Sequence, residues 1–209
     1  MSTTLTKRQV TDDELARYAG IVYERTGIRI SPQKKTLLSN RLRRRMKVLD
    51  IDDYSEYYEL LVGIGIKDPE WDAFLQEITT HETYLFRDPN QWEWFSKDYL
   101  PGLVSAARRG ERQKSLRIWS AACSTGDEVF TIACCVADRL SNHSQWQIEI
   151  VGTDIGIGAL EEAREARFGT RSMQQVSESY RRRFFTKIDD DTWEAKPMLR
   201  HWTKFQQHI

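Results

Sequence analysis

Cysteine is nearly missing from this chain: three in 209 residues, at positions 123, 134 and 135. That is too few for a disulfide framework, and the three read as reduced, mostly buried thiols of a cytosolic, cytoplasmic protein. Long apolar stretches are missing as well. The longest uncharged run, Val129 to Ala137 (VFTIACCVA), is far too short to span a bilayer, and the opening MSTTLTKRQVTDDE lacks the apolar core of a signal peptide. Four histidines, at 81, 143, 201 and 208, show no pairing at ligand spacing, so no metal site is expected. Neither charge is in excess. Lys plus Arg equals Asp plus Glu at 31 each, which points to neither a nucleic-acid nor a membrane partner.

What is there divides into two characters. The first hundred residues read as helical. Thr11 to Glu14 (TDDE) is a capping box opening a helix that runs out at Gly27. Ser31-Pro32 places an N-cap serine before a proline at the first helical position, and that helix reaches about Leu49. Asp53 to Glu56 (DYSE) is a second capping-box-like start, with an end near Gly63 and Gly65. Asp68-Pro69 starts the next helix, with Trp71, Phe74, Leu75 and Ile78 on one face. Pro89 and the cluster Trp92, Trp94 and Phe95 predict a further helix to Leu100, stopped by Pro101-Gly102.

Past residues 100–114 the pattern changes. Leu116 to Ala122 reads as a buried strand, Asp127 to Leu140 as a helix, Trp146 to Asp154 as a second strand, and Ile157 to Phe168 as a second helix. Strand, helix, strand, helix predicts a parallel α/β layer. SESYRRRFFTKI reads as helical, and TWEAKPMLRHWTKFQQHI as a ribbon ending in a strand near Trp202 to His208.

Three stretches carry chemistry. Ser120 to Glu128 (SAACSTGDE) turns a strand into a helix through small residues, leaving backbone N–H groups and room for a ligand. The second strand ends on Asp154, where a carboxylate suits ribose hydroxyls because it only accepts. The turn has Gly126 alone rather than three glycines, which suits a nucleoside without a pyrophosphate; a plain structural turn fits about as well. Residues 31–49 carry Lys34, Lys35, Arg41, Arg43, Arg44, Arg45 and Lys47 and no acid. A solvated face is the ordinary meaning of such a run, but seven uncompensated charges in a neutral protein favour an acidic partner. Without interleaved aromatics for base stacking, an acidic protein surface fits at least as well as nucleic acid. The third stretch is Ile78 to Asp88 (ITTHETYLFRD). Its bland reading makes Thr79 and Thr80 caps, Tyr84 and Phe86 core residues, and Arg87 a partner of Asp88.

Together and in this order, the three resemble the CheR-type chemoreceptor methyltransferases, over a span from about residue 12 to the end of the chain. TTHETYLFR (Thr79 to Arg87) is similar to that family's TT-N-x-T-x-F-F-R, RIWSAACSTGDE (Arg117 to Glu128) to its RIWSAACSTGEE, and Thr153 to Ile155 to its TDI. The resemblance implies an α/β protein with a small all-α N-terminal helical domain and linker at 1–88. A truncated Rossmann-like S-adenosyl-L-methionine (SAM) methyltransferase domain would follow at 89–209. It implies SAM as cofactor and S-adenosyl-L-homocysteine as product, with cofactor contacts at His81, Thr83, Arg87, Ala122, Glu128 and Asp154. His81 stands where the family often has asparagine. The implied reaction is methyl-ester formation on glutamate side chains of chemoreceptor cytoplasmic helices, with Arg87 orienting the cofactor carboxylate or the incoming glutamate. Arg41, Arg43, Arg44, Arg45 and Lys47 would dock those acidic helices, reaching the membrane only through the receptors.

Against the family pattern, the later half of a seven-stranded sheet is absent, including a strand similar to FD-x-I-x-CRN, and there is no room for a small β-subdomain. The first strand should then present an open apolar edge, to be covered by roughly 70 further residues of a longer enzyme, by a partner chain, or in some other way. Weak or absent catalysis by the chain alone is the corresponding expectation. The competing functions are a catalytically inactive SAM- or receptor-binding regulatory module and, behind it, an RNA methyltransferase.

Overall fold

The computed structural model describes residues 8–79, 82–140 and 142–208. The chain forms two compact units, Met1–Thr80 and His81–His208. The change of character near 100–114 therefore marks the entry into a sheet within the second unit.

The first unit is four helices: α1 (Asp12–Thr26), α2 (Lys35–Val48), α3 (Tyr54–Gly63) and α4 (Pro69–Ile78). The predicted capping box forms, with the Thr11 hydroxyl accepting from Glu14 N and the Glu14 carboxylate accepting from Thr11 N. Gly27 ends α1 in the left-handed conformation at φ 72°. Two predicted caps do not form. Ser31 opens only a 3-10 turn, Pro32–Lys34, and gives no side-chain bond, so α2 begins later, at Lys35. Asp53 also caps nothing, its carboxylate lying 3.6 Å from Arg8 instead. The core is aromatic: Tyr18, Tyr57, Trp71 and Phe74 are buried and pack ring against ring. The buried polar tips are satisfied, Tyr18 OH donating to Tyr54 O (2.6 Å) and Trp71 Nε1 to Leu61 O (3.1 Å).

The second unit opens with α5 (Pro89–Trp94) and α6 (Leu100–Arg108). Pro101-Gly102 does not stop this helix as expected. A π turn over Phe95–Tyr99 lets Leu100 N bond back to Phe95 O, so Pro101 falls in the first turn of α6, where no donor is needed. Then come β1 (Ser115–Ala121), α7 (Asp127–Arg139), β2 (Gln147–Asp154) and α8 (Ile157–Glu165). Helix α8 ends before Phe168 because Ala166 turns left-handed (φ 57°) and sends the chain into β3 (Arg167–Gly169). After α9 (Glu178–Phe184) follow β4 (Phe185–Lys187), β5 (Thr192–Ala195), α10 (Pro197–Arg200) and β6 (Thr203–Gln207).

Two sheets result. One is parallel, in the order β1-β2-β6, with Ile118 opposite Ile150 and Gly152 opposite Phe205. The other is antiparallel, in the order β3-β5-β4. This second sheet overturns the expectation that no small β-subdomain would fit. Its strands are three or four residues long, too short for a periodicity to show.

Helix α7 explains the apolar run: Val129 to Val136 is buried throughout, so that part of the helix faces protein on every side. The thiols are free and buried, and burial pushes Cys135 up to about 11 and Cys134 well above its ordinary value. Gly152 admits α7 against β2, since a Cβ there would lie 2.8 Å from Val129 Cγ2. Residues Arg117, Trp119, Val151, Thr153, Gln206 and His208 border a concavity of about 470 Å³ on the sheet. There Trp119 is 63% exposed, and β1 is an edge strand among the described residues.

Candidate functional site

The carboxyl ends of β1 and β2 meet at a strained turn. Between β1 and α7, Ala122 (φ 58°), Ser124 (φ 50°) and Gly126 (φ 87°) are left-handed, and only one of them is glycine. Such backbone costs about 1–2 kcal/mol at a non-glycine residue and needs fixed partners. Asp154 supplies them. Its Oδ2 accepts from Ser124 N at 2.8 Å and its Oδ1 from Gly156 N at 3.0 Å. Cys123 N adds a bond to Thr153 O (2.9 Å). The strand-end carboxylate thus shapes the turn that it faces. Burial and the Asp154 charge push the Cys123 thiol up to about 12, so it stays protonated and unreactive.

Glu128, in the first turn of α7, accepts from Ser120 Oγ at 2.8 Å, which fixes its carboxylate beside β1. A carboxylate offers about four lone-pair directions, so Asp154 after two bonds and Glu128 after one both keep acceptor capacity. A nucleoside with a cationic side arm suits that donor-poor, acceptor-rich set. Ala122 is exposed at the same turn.

The segment 82–88 belongs to this unit. Leu85 is wholly buried, and its N–H donates to Ser172 O (3.1 Å). Phe86 N donates to Thr131 Oγ1 at 2.9 Å, one turn along α7 from Glu128, and the Phe86 ring meets Tyr180 edge-on. Arg87 is flanked by two left-handed residues, Phe86 (φ 60°) and Asp88 (φ 59°). Its guanidinium is about half exposed and donates to Glu82 O at 2.8 Å. The pairing with Asp88 from the bland reading is weak, at 4.0 Å with both side chains exposed. Glu82 is engaged by Arg171 at 2.6 Å. Thr83 is half-buried. His81 and Thr80 lie outside the described residues. Thr79 caps the end of α4 and donates to Leu75 O.

Ala122, Glu128 and Asp154 are therefore brought to one turn, and Arg87 sits on a segment bonded to the same helix. Sequence reasoning missed Ser120, Ser124, Gly156 and Thr131 as supports. The spacing of Asp154 and Gly156 was a readable sign, since a carboxylate commonly takes the N–H two residues on.

In the helical unit the basic stretch is less bare than its sequence implies. Arg45 Nε donates to both Glu70 oxygens (2.8 and 2.9 Å), and Tyr57 OH donates to the same carboxylate at 2.7 Å. Arg44 pairs with Glu77 at 2.8 Å, and Lys35 with Asp12 at 2.8 Å. Arg41 donates to Ile78 O (2.5 Å), while Arg43 bonds Ser39 O and Asn40. Three of the seven charges are paired with carboxylates of α1 and α4, and Arg45, with its side chain 20% exposed, holds the bundle together. Arg44 and Lys47 remain exposed.

Comparison with known proteins gives a consistent result. Residues 81–208 match the family described as CheR methyltransferase, SAM binding domain, and residues 13–79 match its all-alpha domain. A chemotaxis protein methyltransferase of Borreliella burgdorferi is 30% identical over 95% of this chain and 70% of its own length. Those of Salmonella typhimurium and Escherichia coli are each 31% identical over 85% of this chain and 58% of their own length. The chain thus spans between 58% and 70% of these relatives. Among the described residues no helix is long and apolar enough to cross a membrane.

Proposed function

This chain belongs to the CheR methyltransferase family, and on that premise we propose that it carries the cofactor turn and the docking unit of a cytoplasmic SAM-dependent methyltransferase acting in chemotaxis. The proposed substrate is a glutamate side chain on the acidic cytoplasmic helices of a chemoreceptor, and the product a γ-methyl ester. One observation carries the reading: Ala122, Glu128 and the turn-shaping Asp154 share the carboxyl end of the sheet, with the Arg87 segment bonded to the helix that bears Glu128.

SAM, when bound, supplies an electrophilic methyl group on a sulfonium, and S-adenosyl-L-homocysteine is left after transfer. Asp154 would accept from the ribose hydroxyls and Glu128 from donors of the methionyl arm, each using the acceptor capacity left by its backbone or serine partner. Arg87, exposed and tethered through its own backbone, would orient a carboxylate in bidentate fashion. A glutamate substrate is ionised at neutral pH, so no residue of this chain would be needed as a general base. What the protein contributes is positioning and removal of water. Arg44, Lys47 and Arg43 would steer acidic receptor helices, while Arg45 serves stability.

Two assays test this on the full chain: calorimetry with SAM, and transfer of labelled methyl groups to receptor-bearing membranes. Binding with transfer that falls steeply as salt is added, while SAM affinity barely changes, supports the reading. Binding without transfer indicates a regulatory module, for which the exposed Trp119 face and the edge position of β1 give grounds. Methylation of RNA but not receptor would refute it.

A further inference from the structure

We infer that Thr131 is a positioning residue, whose hydroxyl fixes the Arg87-bearing segment on α7 in register with Glu128. This rests on the proposed methyl transfer for its kinetic consequence, though not for its structural one.

Thr131 is wholly buried and lies in an otherwise apolar run of α7. Its Oγ1 donates to Asp127 O at 2.8 Å and accepts from Phe86 N at 2.9 Å. The first bond sets the rotor, so the lone pair is aimed at the incoming N–H rather than free to turn. The second is needed because Phe86 is left-handed, as is Asp88 on the other side of Arg87. Strain of that kind persists only where surrounding groups hold it. Among the described residues the segment is held by Thr131, by Ser172 O for Leu85 N, by Tyr180 against the Phe86 ring, by the Trp92 indole N–H on Arg87 O, and by local bonds from Arg87 N to Tyr84 O and from its guanidinium to Glu82 O. Among these described contacts, the bond to Thr131 is the one that reaches the helix carrying Glu128, which lies three residues earlier and so on the same side of α7. One hydroxyl therefore links the two segments that together would grip cofactor and substrate. A valine would fill the same space but leave the Phe86 N–H without its acceptor.

The test uses Thr131→Val and Thr131→Ser in the full chain. In Thr131→Val, amide exchange at Phe86 should quicken about ten-fold or more, as expected for a lost interior bond. Methyl transfer should lose about ten-fold in kcat, while SAM affinity by calorimetry stays within about three-fold. Thr131→Ser keeps the hydroxyl and should restore slow exchange and most of the rate. If Thr131→Val does not fold, Thr131→Cys, of similar size with only a weak acceptor, carries the same expectation. Unchanged Phe86 exchange in the valine or cysteine variant overturns the inference. So does a serine variant as impaired as valine, which would mean that the methyl group and not the hydroxyl matters. A wild-type chain that transfers no methyl group sinks the proposed function instead, and the exchange measurements still decide the role of Thr131.

Discussion

Asp154→Asn tests the view that the strand-end carboxylate is both a scaffold and a ligand. In the folded chain its two oxygens accept from Ser124 N and Gly156 N at 2.8 and 3.0 Å, in an environment where Asp154 is 8% exposed. Asparagine keeps one acceptor and turns an NH₂ group toward the other N–H, so one charge-assisted bond is lost and a buried donor is stranded. The loss should be about 2–3 kcal/mol. For the unit spanning His81–His208 this corresponds to about 7–11 °C in Tm. Ser124→Gly added to Asp154→Asn should recover about 3–4 °C, because glycine accepts the left-handed φ of 50° without strain. It should not recover SAM affinity, which Asp154→Asn is expected to weaken about 10–100-fold through the ribose hydroxyls. Thermal denaturation and calorimetry read the two effects separately. A variant that melts within about 2 °C of wild type and binds SAM equally well would refute both roles.

Further expectations follow from the same geometry. Arg45→Ala should cost about 2–4 kcal/mol by leaving the Glu70 carboxylate, 11% exposed, without its cation, whereas Lys47→Ala should stay within about 0.5 kcal/mol; equal effects in chemical denaturation would contradict the division between paired and exposed charges. Glu14 is held down to about 2 by the Arg8 guanidinium and the Thr11 N–H, against an ordinary 4.5. Because the folded value is depressed, its contribution, at most about 3 kcal/mol, is fully present above pH 4.5 and is lost as pH falls through about 2. Glu14→Gln should accordingly flatten that acid limb, and parallel stability–pH curves for the two proteins would show the pairing to be inert. Gly152→Ala should destabilise by about 1–3 kcal/mol, since the new methyl meets Val129, Cys123 and Phe205 at 2.8–2.9 Å; an unchanged urea midpoint would mean that α7 is not seated on β2 as described.

What was legible in the sequence was local. Thr11, Glu14 and Gly27 delimit α1 through bonds made within one helical turn, and the apolar strands β1 and β2 bracket a helix that needs no distant partner to be recognised. What escaped depends on residues far away. The charges of α2 look bare because Glu70 and Glu77 arrive from α4, and Pro101 looks like a stop because the π turn that accommodates it begins six residues earlier. The small antiparallel sheet is a matter of pairing between segments too short to announce themselves. The backbone rule that fails most is the avoidance of left-handed φ by residues other than glycine, and its failures are not scattered. Of the six such residues among those described, Asp50 and Ala166 lie at turns that close helices, while Ala122 and Ser124 shape the turn between β1 and α7 and Phe86 and Asp88 enclose Arg87. Each pair includes one residue whose N–H is held by a side chain from elsewhere in the unit, Ser124 by Asp154 and Phe86 by Thr131. Strain kept in place by long-range bonds is where local preference has yielded to a requirement of the site. It singles out the same two segments as the family motifs, on grounds that owe nothing to the motifs themselves.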